Sequence, residues 1–218
     1  MNTILVIEDQ ALMRRNIATI LSMEGYRVLT AAEGSEGLRI AGEELPDLVL
    51  CDIMMPGCDG YEVLRTLRAR RATAMIPFVF LTARGEKADQ RTGMNLGADD
   101  YIVKPVPRLE LLDTVRTRLE RQAAHDRRLQ EELSRIGPDA DFTSATPLAE
   151  RWGLTPLQAE ILLGLARNLP DHEIAGALGI ETQTLRPQLG PIFDRLDVDH
   201  RATAAARARE VLGRAPVA

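Results

Sequence analysis

The first 120 or so residues of this 218-residue chain alternate short apolar runs with helix-like segments. Short apolar runs are typical of strands that are buried on both faces, and strand–helix alternation is typical of a parallel sheet with helices on either side. The pattern therefore predicts a doubly wound, five-stranded α/β domain. The candidate strands are Ile4 to Ile7, Val28 to Ala31, Leu48 to Cys51, Phe78 to Leu81 and Tyr101 to Val103.

Four segments between these strands carry the signals of helices. In the first of them, apolar residues recur at helical spacing and stop at Gly25, a residue type that often ends a helix. The other three predicted helices are Gly34 to Glu44, Tyr61 to Arg70 and Glu86 to Asn95.

A fifth helix is predicted to begin after Pro107 and to continue to Ile136. Its apolar positions alternate between spacings of three and four, which is the heptad rhythm of a coiled coil. Two alternatives stay open: a helix that pairs two copies of the chain, or a single amphipathic helix folded back on its own domain. The candidate dimer residues are Leu112, Val115, Leu119, Leu129, Leu133 and Ile136.

Polar side chains follow four of the five predicted strands. Glu8 and Asp9 end the first strand, Asp52 the third, Thr82 the fourth and Lys104 the fifth. In an open parallel sheet these positions border the ligand crevice. Three converging carboxylates repel one another, so they require a cation, and oxygen ligands suit Mg²⁺ or Mn²⁺. With a cation bound, a carboxylate can attack phosphorus, and an ammonium and a hydroxyl can position the phosphoryl group.

Several motifs in this region, VIED, CDIMMPGCDGYEVL, FLTA and GADDYIVKP, resemble the receiver domain of bacterial two-component response regulators. The resemblance implies a flavodoxin-like fold and phosphorylation of Asp52 by a sensor histidine kinase. It also implies that Glu8, Asp9, Asp52 and the backbone carbonyl of Met54 hold the Mg²⁺ or Mn²⁺ ion. In that family, a threonine and an aromatic residue switch a face that commonly dimerises. The implied phosphoryl-binding and switch residues are Thr82, Ala83, Tyr101 and Lys104.

The end of the chain resembles a LuxR-type helix-turn-helix output domain, mainly through LTPLQAEILLGLARNLPDHEIAGALGI. We therefore predict a receiver domain at 1–120, a helical extension and linker at 121–147, and a small all-α output domain at 148–218. A helix of this output type lies in the major groove of DNA. The candidate DNA contacts are Thr184, Arg186, Gln188 and Arg195.

The predicted recognition helix departs from that family. Pro187, Gly190 and Pro191 fall inside it, and an interior proline costs about 3 kcal/mol. If Thr184 capped the helix, Pro187 would lie in its first turn, but Pro191 would still kink it. Between Pro170 and His200, two arginines stand against six acidic residues, a net charge of −4. DNA-binding surfaces are usually basic.

Two functions follow from these observations. The first is a phosphorylation-controlled transcription regulator that acts on DNA as a homodimer. The second is a response regulator whose degenerate output domain signals through protein contacts. An enzymatic output is disfavoured, because the residues after the linker show no nucleophile, metal cluster or phosphate-binding loop. The sequence shows neither a secretory signal nor an apolar run long enough for a membrane span, so we expect a cytoplasmic protein.

Overall fold

A computed structural model describes residues 1–83, 96–134, 144–199 and 201–213 of the chain. The backbone divides into two compact units, Met1–Ala123 and Ala124–Ala218. Among the described residues, no helix combines the length and the apolar character that crossing a bilayer requires.

The first unit is built on a five-stranded sheet in which all neighbouring strands are parallel. The strands are β1 (Thr3–Ile7), β2 (Arg27–Ala31), β3 (Leu48–Asp52), β4 (Phe78–Thr82) and β5 (Asp100–Val103). Their order in the sheet is β2-β1-β3-β4-β5, so the chain adds one strand on one side of β1 and then crosses to the other side. This order is that of a doubly wound sheet and confirms the predicted fold. Each strand lies within one residue of its predicted bounds.

Helices cover both faces of this sheet. The described helices are α1 (Ala11–Met23), α2 (Gly34–Glu44), α3 (Gly60–Ala69), the short α4 (Arg71–Ala74) and α5 (Arg108–Ser134). Alternate residues of β1 belong to two different apolar clusters, because successive side chains of a strand point to opposite faces. One cluster contains Val63 and Leu64 of α3, and the other contains Ile17 of α1 and Val115 of α5. The helix predicted at Glu86 to Asn95 lies outside the described residues.

The first part of α5, which contains three of the candidate dimer residues, packs on its own sheet. Val115 and Leu119 are buried in the apolar cluster of their own sheet, and Leu112 is partly buried against it. The spacing of three and four at these positions therefore serves packing within the first unit, which was one of the two alternatives. The side chains of Leu129 and Leu133, and the whole of Ile136, lie outside the described residues.

After the end of α5, the described part of the second unit consists of helices and the turns between them. These helices are α6 (Thr146–Trp152), α7 (Pro156–Ala166), α8 (Asp171–Leu178), α9 (Thr182–Leu196) and α10 (Arg201–Leu212). The helical extension and linker predicted at 121–147 overlap the start of α6, which begins at Thr146. Thr155 and Gln158 form a capping box at the start of α7, with Pro156 in its first turn.

Only three residues separate α8 from α9, and the first of them, Gly179, has a φ of 66°. This left-handed backbone conformation suits glycine and ends α8 sharply. Two helices joined by a turn of this length that contains glycine are typical of a helix-turn-helix.

The two interior prolines do not interrupt α9. The helix continues from Thr182 to Leu196 with Pro187 and Pro191 inside it, and Glu181 rather than Thr184 occupies the N-cap position. Two interior prolines cost about 6 kcal/mol. One face of α9 buries five large apolar side chains, and burial contributes roughly 1.5–3 kcal/mol for each such residue, so packing outweighs the prolines. These residues are Leu185, Leu189, Ile192, Phe193 and Leu196.

Candidate functional site

Three carboxylates converge at the carboxyl edge of the sheet. Glu8 and Asp9 follow β1, and Asp52 is the last residue of the neighbouring strand β3. One oxygen of each carboxylate lies within 4.8 Å of the corresponding oxygens of the other two. Glu8 and Asp52 are buried, whereas Asp9 is partly exposed. The fold thus brings together the three acidic residues that the sequence placed at strand ends.

Lys104, the residue after β5, reaches into this cluster. Its Nζ lies 2.8 Å from Oε2 of Glu8 and 2.8 Å from Oδ2 of Asp52. The contact with Glu8 is an ion pair without regular hydrogen-bond geometry, because Oε2 is among the buried oxygens that accept no hydrogen bond within the described chain. Oδ1 of Asp9 is also buried and has no hydrogen-bond partner among the described residues. A buried acceptor of this kind is unfavourable by about 1–3 kcal/mol or more, and a positively charged ligand would relieve that cost.

Burial and neighbouring charges shift the pKa of two groups in this cluster. Burial raises the pKa of Glu8, and the Asp52 carboxylate raises it further, while contact with Lys104 opposes both effects. Burial alone would lower the pKa of Lys104, but its contacts with Asp52 and Glu8 outweigh burial and raise that pKa. The lysine is therefore charged at neutral pH, and it only partly compensates the three acids.

The segment after β3 holds Asp52 from the other side. The backbone N–H of Met54 donates to Oδ1 of Asp52 at 3.3 Å, and the Met54 side chain is exposed. The carbonyl of Met54 stays a predicted metal ligand. Gly60 begins α3 directly against Asp52, since a Cβ atom at Gly60 would lie 2.3 Å from the Asp52 carbonyl oxygen.

The importance of Gly60 was not recognised from the sequence. A local signal exists, because Asp59 directly before it is the N-cap of α3 and accepts a hydrogen bond from the N–H of Glu62 at 2.8 Å. An aspartate–glycine pair at a helix start, soon after a strand that ends in aspartate, indicates that the helix begins close to the strand end. Glycine is required at position 60 because any other residue would place a Cβ atom against the Asp52 carbonyl oxygen.

The predicted switch residues lie on the two strands beyond Asp52. Thr82 is buried at the end of β4, and its hydroxyl donates to the carbonyl of Ala83 at 3.3 Å. The N–H of Lys104 donates to the carbonyl of Thr82 at 2.7 Å, so the two strand ends are directly linked. Tyr101 pairs with Phe80 across β4 and β5, and 38% of its surface is exposed. The switching role of Thr82, Ala83 and Tyr101 stays a prediction.

The four candidate DNA contacts lie on α9, but three of them have partners within the second unit. Arg186 forms an ion pair with Asp171 of α8, with 3.9 Å between Nε and Oδ2. Oε1 of Gln188 accepts a hydrogen bond from the side chain of Gln158 at 3.4 Å. Arg195 donates to the carbonyl oxygens of Trp152 and Gly153 at the end of α6. Thr184 is exposed.

Other arginines of the second unit also bind backbone carbonyls. Arg207 donates to Leu196 at the end of α9, and Arg209 donates to Ala166 at the end of α7. Arg201 donates to the Leu169 carbonyl and forms a second ion pair with Asp171. Guanidinium groups at these positions satisfy carbonyls that lack an intrahelical partner and compensate the negative ends of helix dipoles.

One known protein family matches the sequence of the first unit. The model of the response regulator receiver domain matches residues 4–116, which is just over half of the chain. This chain belongs to the response regulator receiver domain family. The match covers β1 from Ile4 onward, the other four strands, and every residue of the acidic cluster and of the predicted switch.

Three relatives of this receiver protein are named as regulators of transcription. It is 36% identical over 167 residues to the transcriptional regulatory protein AfsQ1 of Streptomyces coelicolor, covering 77% of this chain and 72% of that protein. It is 39% identical over 166 residues to the DNA-binding response regulator MtrA of Mycobacterium leprae, covering 75% and 71%. It is 49% identical over 118 residues to the probable transcriptional regulator ycf27 of Cyanophora paradoxa. That match covers 54% of this chain and 48% of the relative.

Solved receiver structures resemble the first unit closely. A putative response regulator from Chloroflexus aurantiacus has a TM-score of 0.53 and 34% identity, covering 55% of this chain and 98% of that one. The receiver domain of the sensor histidine kinase PA1611 from Pseudomonas aeruginosa has a TM-score of 0.52 and 31% identity, with the same coverage of 55% and 98%. That structure holds a magnesium ion coordinated in its active site cleft.

Proposed function

We propose that this receiver protein accepts a phosphoryl group on Asp52 from a sensor histidine kinase. The observation that carries the proposal is the cluster of three carboxylates within 4.8 Å, with Nζ of Lys104 2.8 Å from Oδ2 of Asp52. A carboxylate oxygen of Asp52 forms a bond to phosphorus as the P–N bond of the phosphohistidine donor breaks, and the imidazole nitrogen leaves with the electron pair. Lys104 then moves from pairing with the carboxylate to binding the transferred phosphoryl group.

The acidic cluster suits a divalent cation such as Mg²⁺ or Mn²⁺. The buried Oδ1 of Asp9, which has no hydrogen-bond partner among the described residues, and the incomplete compensation by Lys104 both support this assignment. Glu8, Asp9 and Asp52 would hold the ion, and the carbonyl of Met54 would complete the set. When bound, the ion supplies positive charge beside the phosphoryl oxygens. Thr82, Ala83 and Tyr101 would then relay phosphorylation to the neighbouring surface.

The test for the phosphoacceptor is the variant Asp52→Asn, treated with the small donor phosphoramidate in the presence of Mg²⁺. We expect complete loss of phosphorylation in intact-protein mass spectrometry, because an amide is not a nucleophile at neutral pH. Asp113→Asn, on the exposed surface of α5, is the matched control and should be phosphorylated like the wild type. A phosphorylated Asp52→Asn protein would show that another carboxylate is the acceptor.

For the output, we favour control of transcription through a LuxR-type helix-turn-helix in the second unit. The three-residue turn at Gly179 between α8 and the continuous helix α9 supports this proposal. The names of the relatives AfsQ1 and MtrA support it independently. Thr184 would reach the groove directly, whereas Arg186, Gln188 and Arg195 would first have to leave their present partners.

A second candidate output is signalling through protein contacts without sequence-specific DNA binding. This candidate is favoured because Arg186 pairs with Asp171, and Arg195 binds the carbonyls of Trp152 and Gly153. Residues 144–199 and 201–213 of the second unit carry seven arginines, no lysine and nine acidic residues, so this helical part lacks an excess of positive charge.

Binding to a fluorescent random-sequence duplex at low ionic strength distinguishes the two outputs. Fluorescence anisotropy would be measured with and without beryllofluoride, which mimics a phosphoryl group. The transcription proposal predicts binding that weakens steeply as salt is added, because phosphate contacts release counterions. Absence of salt-dependent binding in both states would exclude it and favour protein contacts.

A homodimer is also part of the proposal, and the end of α5 is its predicted contact. Leu129 and Leu133 are the remaining candidates there, since Val115 and Leu119 are buried in the first unit. Replacing both leucines by serine should weaken a dimer in sedimentation velocity, while Leu109→Ser, at an exposed position near the start of α5, should not. Unchanged sedimentation of the double variant would exclude this part of α5 as the contact.

A further inference from the structure

Arg14 in the first turns of α1 folds back toward the acidic cluster. Its Nη1 donates to the carbonyl oxygen of Glu8 at 2.6 Å and to the carbonyl oxygen of Asp9 at 3.2 Å. Glu8 and Asp9 are the two acidic residues that β1 contributes. One partly buried guanidinium thus holds both of their peptide groups from the side of the helix.

The position of this arginine is unfavourable for the helix itself. The N-terminus of a helix carries partial positive charge, so a cation in the first turns costs a few tenths of a kcal/mol up to about 1 kcal/mol. The first turn of α1 contains no acidic residue, and its N-cap residue Gln10 makes no side-chain cap. The two carbonyl contacts therefore offset an electrostatic cost, and their effect is to fix the loop between β1 and α1.

This loop determines where the carboxylates of Glu8 and Asp9 point. The N–H of Glu8 donates to the Ala31 carbonyl at 3.1 Å, and the N–H of Gln10 contacts Oε1 of Glu8 at 3.4 Å. With the two carbonyls also bound, the peptide groups on both sides of Asp9 have defined partners. Outer contacts of this kind orient metal ligands, and removing one typically weakens metal affinity 10- to 100-fold.

We propose that Arg14 is a positioning residue for the divalent-cation site, acting through the backbone carbonyls of Glu8 and Asp9. The inference rests on the proposed function, because it requires the acidic cluster to bind a cation. In this role Arg14 would be a ligand of neither the phosphoryl group nor the cation. Its role is to keep two carboxylates aimed at one point in spite of their mutual repulsion.

Simple electrostatics predicts the opposite change in cation affinity when Arg14 is removed. The direction of that change therefore tests the proposal. A guanidinium near the site repels a divalent cation, so its removal would tighten cation binding if charge alone mattered. If positioning dominates, Arg14→Ala weakens binding. The neighbouring residue gives a matched control, because Arg15 is exposed and its replacement removes the same charge from the next position of α1.

The experiment is a Mn²⁺ titration of the full-length protein, with free Mn²⁺ measured by electron paramagnetic resonance well below the melting temperature. We expect Arg14→Ala to weaken Mn²⁺ affinity about tenfold, Arg15→Ala to change it less than twofold, and Arg14→Lys to recover part of the loss. A purely structural role would lower the melting temperature without changing affinity at low temperature. Unchanged or tighter binding by Arg14→Ala would overturn the proposal. Failure of the wild type to bind Mn²⁺ would instead contradict the proposed cation site.

Discussion

The two units of this protein use their charged side chains in opposite ways. In the first, Glu8, Asp9, Asp52 and Lys104 come from the ends of three strands and meet at one point. A buried oxygen of Asp9 there lacks a hydrogen-bond partner among the described residues. In the second, arginines bind helix-end carbonyls, as Arg207 does at the end of α9. Charge that is left without compensation indicates a ligand site, whereas charge that is satisfied within the fold contributes to stability.

The same comparison explains why the arginines of the second unit are weak evidence for DNA binding. A guanidinium that already binds a carbonyl or Asp171 has to give up that contact before it can bind a phosphate. Any binding to DNA through these arginines would therefore be weakened by the free energy of each broken contact, about 1.5–3 kcal/mol for a hydrogen bond to a charged group. The location of the arginines is more informative than their number.

The largest expected effect is a loss of stability when a side chain is added at Gly60, which lies against Asp52. In Gly60→Ala the new methyl group would overlap the Asp52 carbonyl oxygen, which is backbone and cannot easily move. We expect the first unit to lose about 3 kcal/mol of stability. Its unfolding can be followed by the near-ultraviolet circular dichroism of the tyrosines, because all three tyrosines of the chain lie in the first unit.

Gly176→Ala is the matched control in the second unit, where a Cβ atom would meet nothing within 4 Å. We expect α8 to gain about 0.5–1 kcal/mol, since alanine favours a helix more than glycine does. The fluorescence of Trp152, the only tryptophan, reports on this unit. Equal effects of the two glycine variants would show that the Asp52 contact is not tight.

A smaller effect is expected when the satisfied charges of the second unit are released. Asp171→Asn weakens the ion pairs with Arg186 and Arg201 and should destabilise this unit by about 1–2 kcal/mol. If Arg186 can bind phosphate once released, duplex DNA binding at low salt should increase, and its salt dependence should steepen by about one phosphate contact.

Glu173→Gln changes the net charge by the same amount but removes no arginine partner among the described contacts of Glu173. It should raise DNA binding less than Asp171→Asn does. Identical anisotropy curves for the two variants would mean that only net charge matters, and that the ion pairs of Asp171 do not restrain Arg186.

The smallest expected effect is a pH dependence of the first unit without metal. The pKa of Glu8 is raised above its ordinary value of 4.5 in the folded protein. The folded state therefore binds a proton that the unfolded state has lost, and stability declines as the pH rises from about 4.5 through the folded pKa. Glu8→Gln should reduce this decline in urea unfolding midpoints measured with a chelator present. Parallel curves for variant and wild type would contradict the raised pKa.

Much of the first unit could be predicted because strands buried in a parallel sheet consist of short apolar runs that are recognisable in the sequence. The bounds of the helix Gly34–Glu44 were predicted as observed. The convergence of Glu8, Asp9 and Asp52 followed from the rule that parallel strands end at one edge of a sheet. The contacts of Gly60 and Arg14 could not be predicted in this way, because they depend on distances between backbone segments rather than on a spacing in the sequence.

Two other sequence patterns were ambiguous because a local pattern has more than one structural cause. Val115 and Leu119 fit a heptad, but the same spacing places side chains on one face of a helix that packs on a sheet. Pro187 and Pro191 disfavour a helix locally, but the burial of Leu185 and Leu189 on the opposite side is not visible in a propensity. In both cases tertiary packing decided the outcome.

The division between the units falls between Ala123 and Ala124, inside the unbroken helix α5. Peptide groups on each side of this point are joined by the hydrogen bonds of one helix, so a chain cut there would expose about four N–H and four C=O groups. A truncated receiver intended for separate expression should therefore include the helix to Ser134 rather than stop at the division. For the same reason, limited proteolysis of the intact protein should spare this peptide bond.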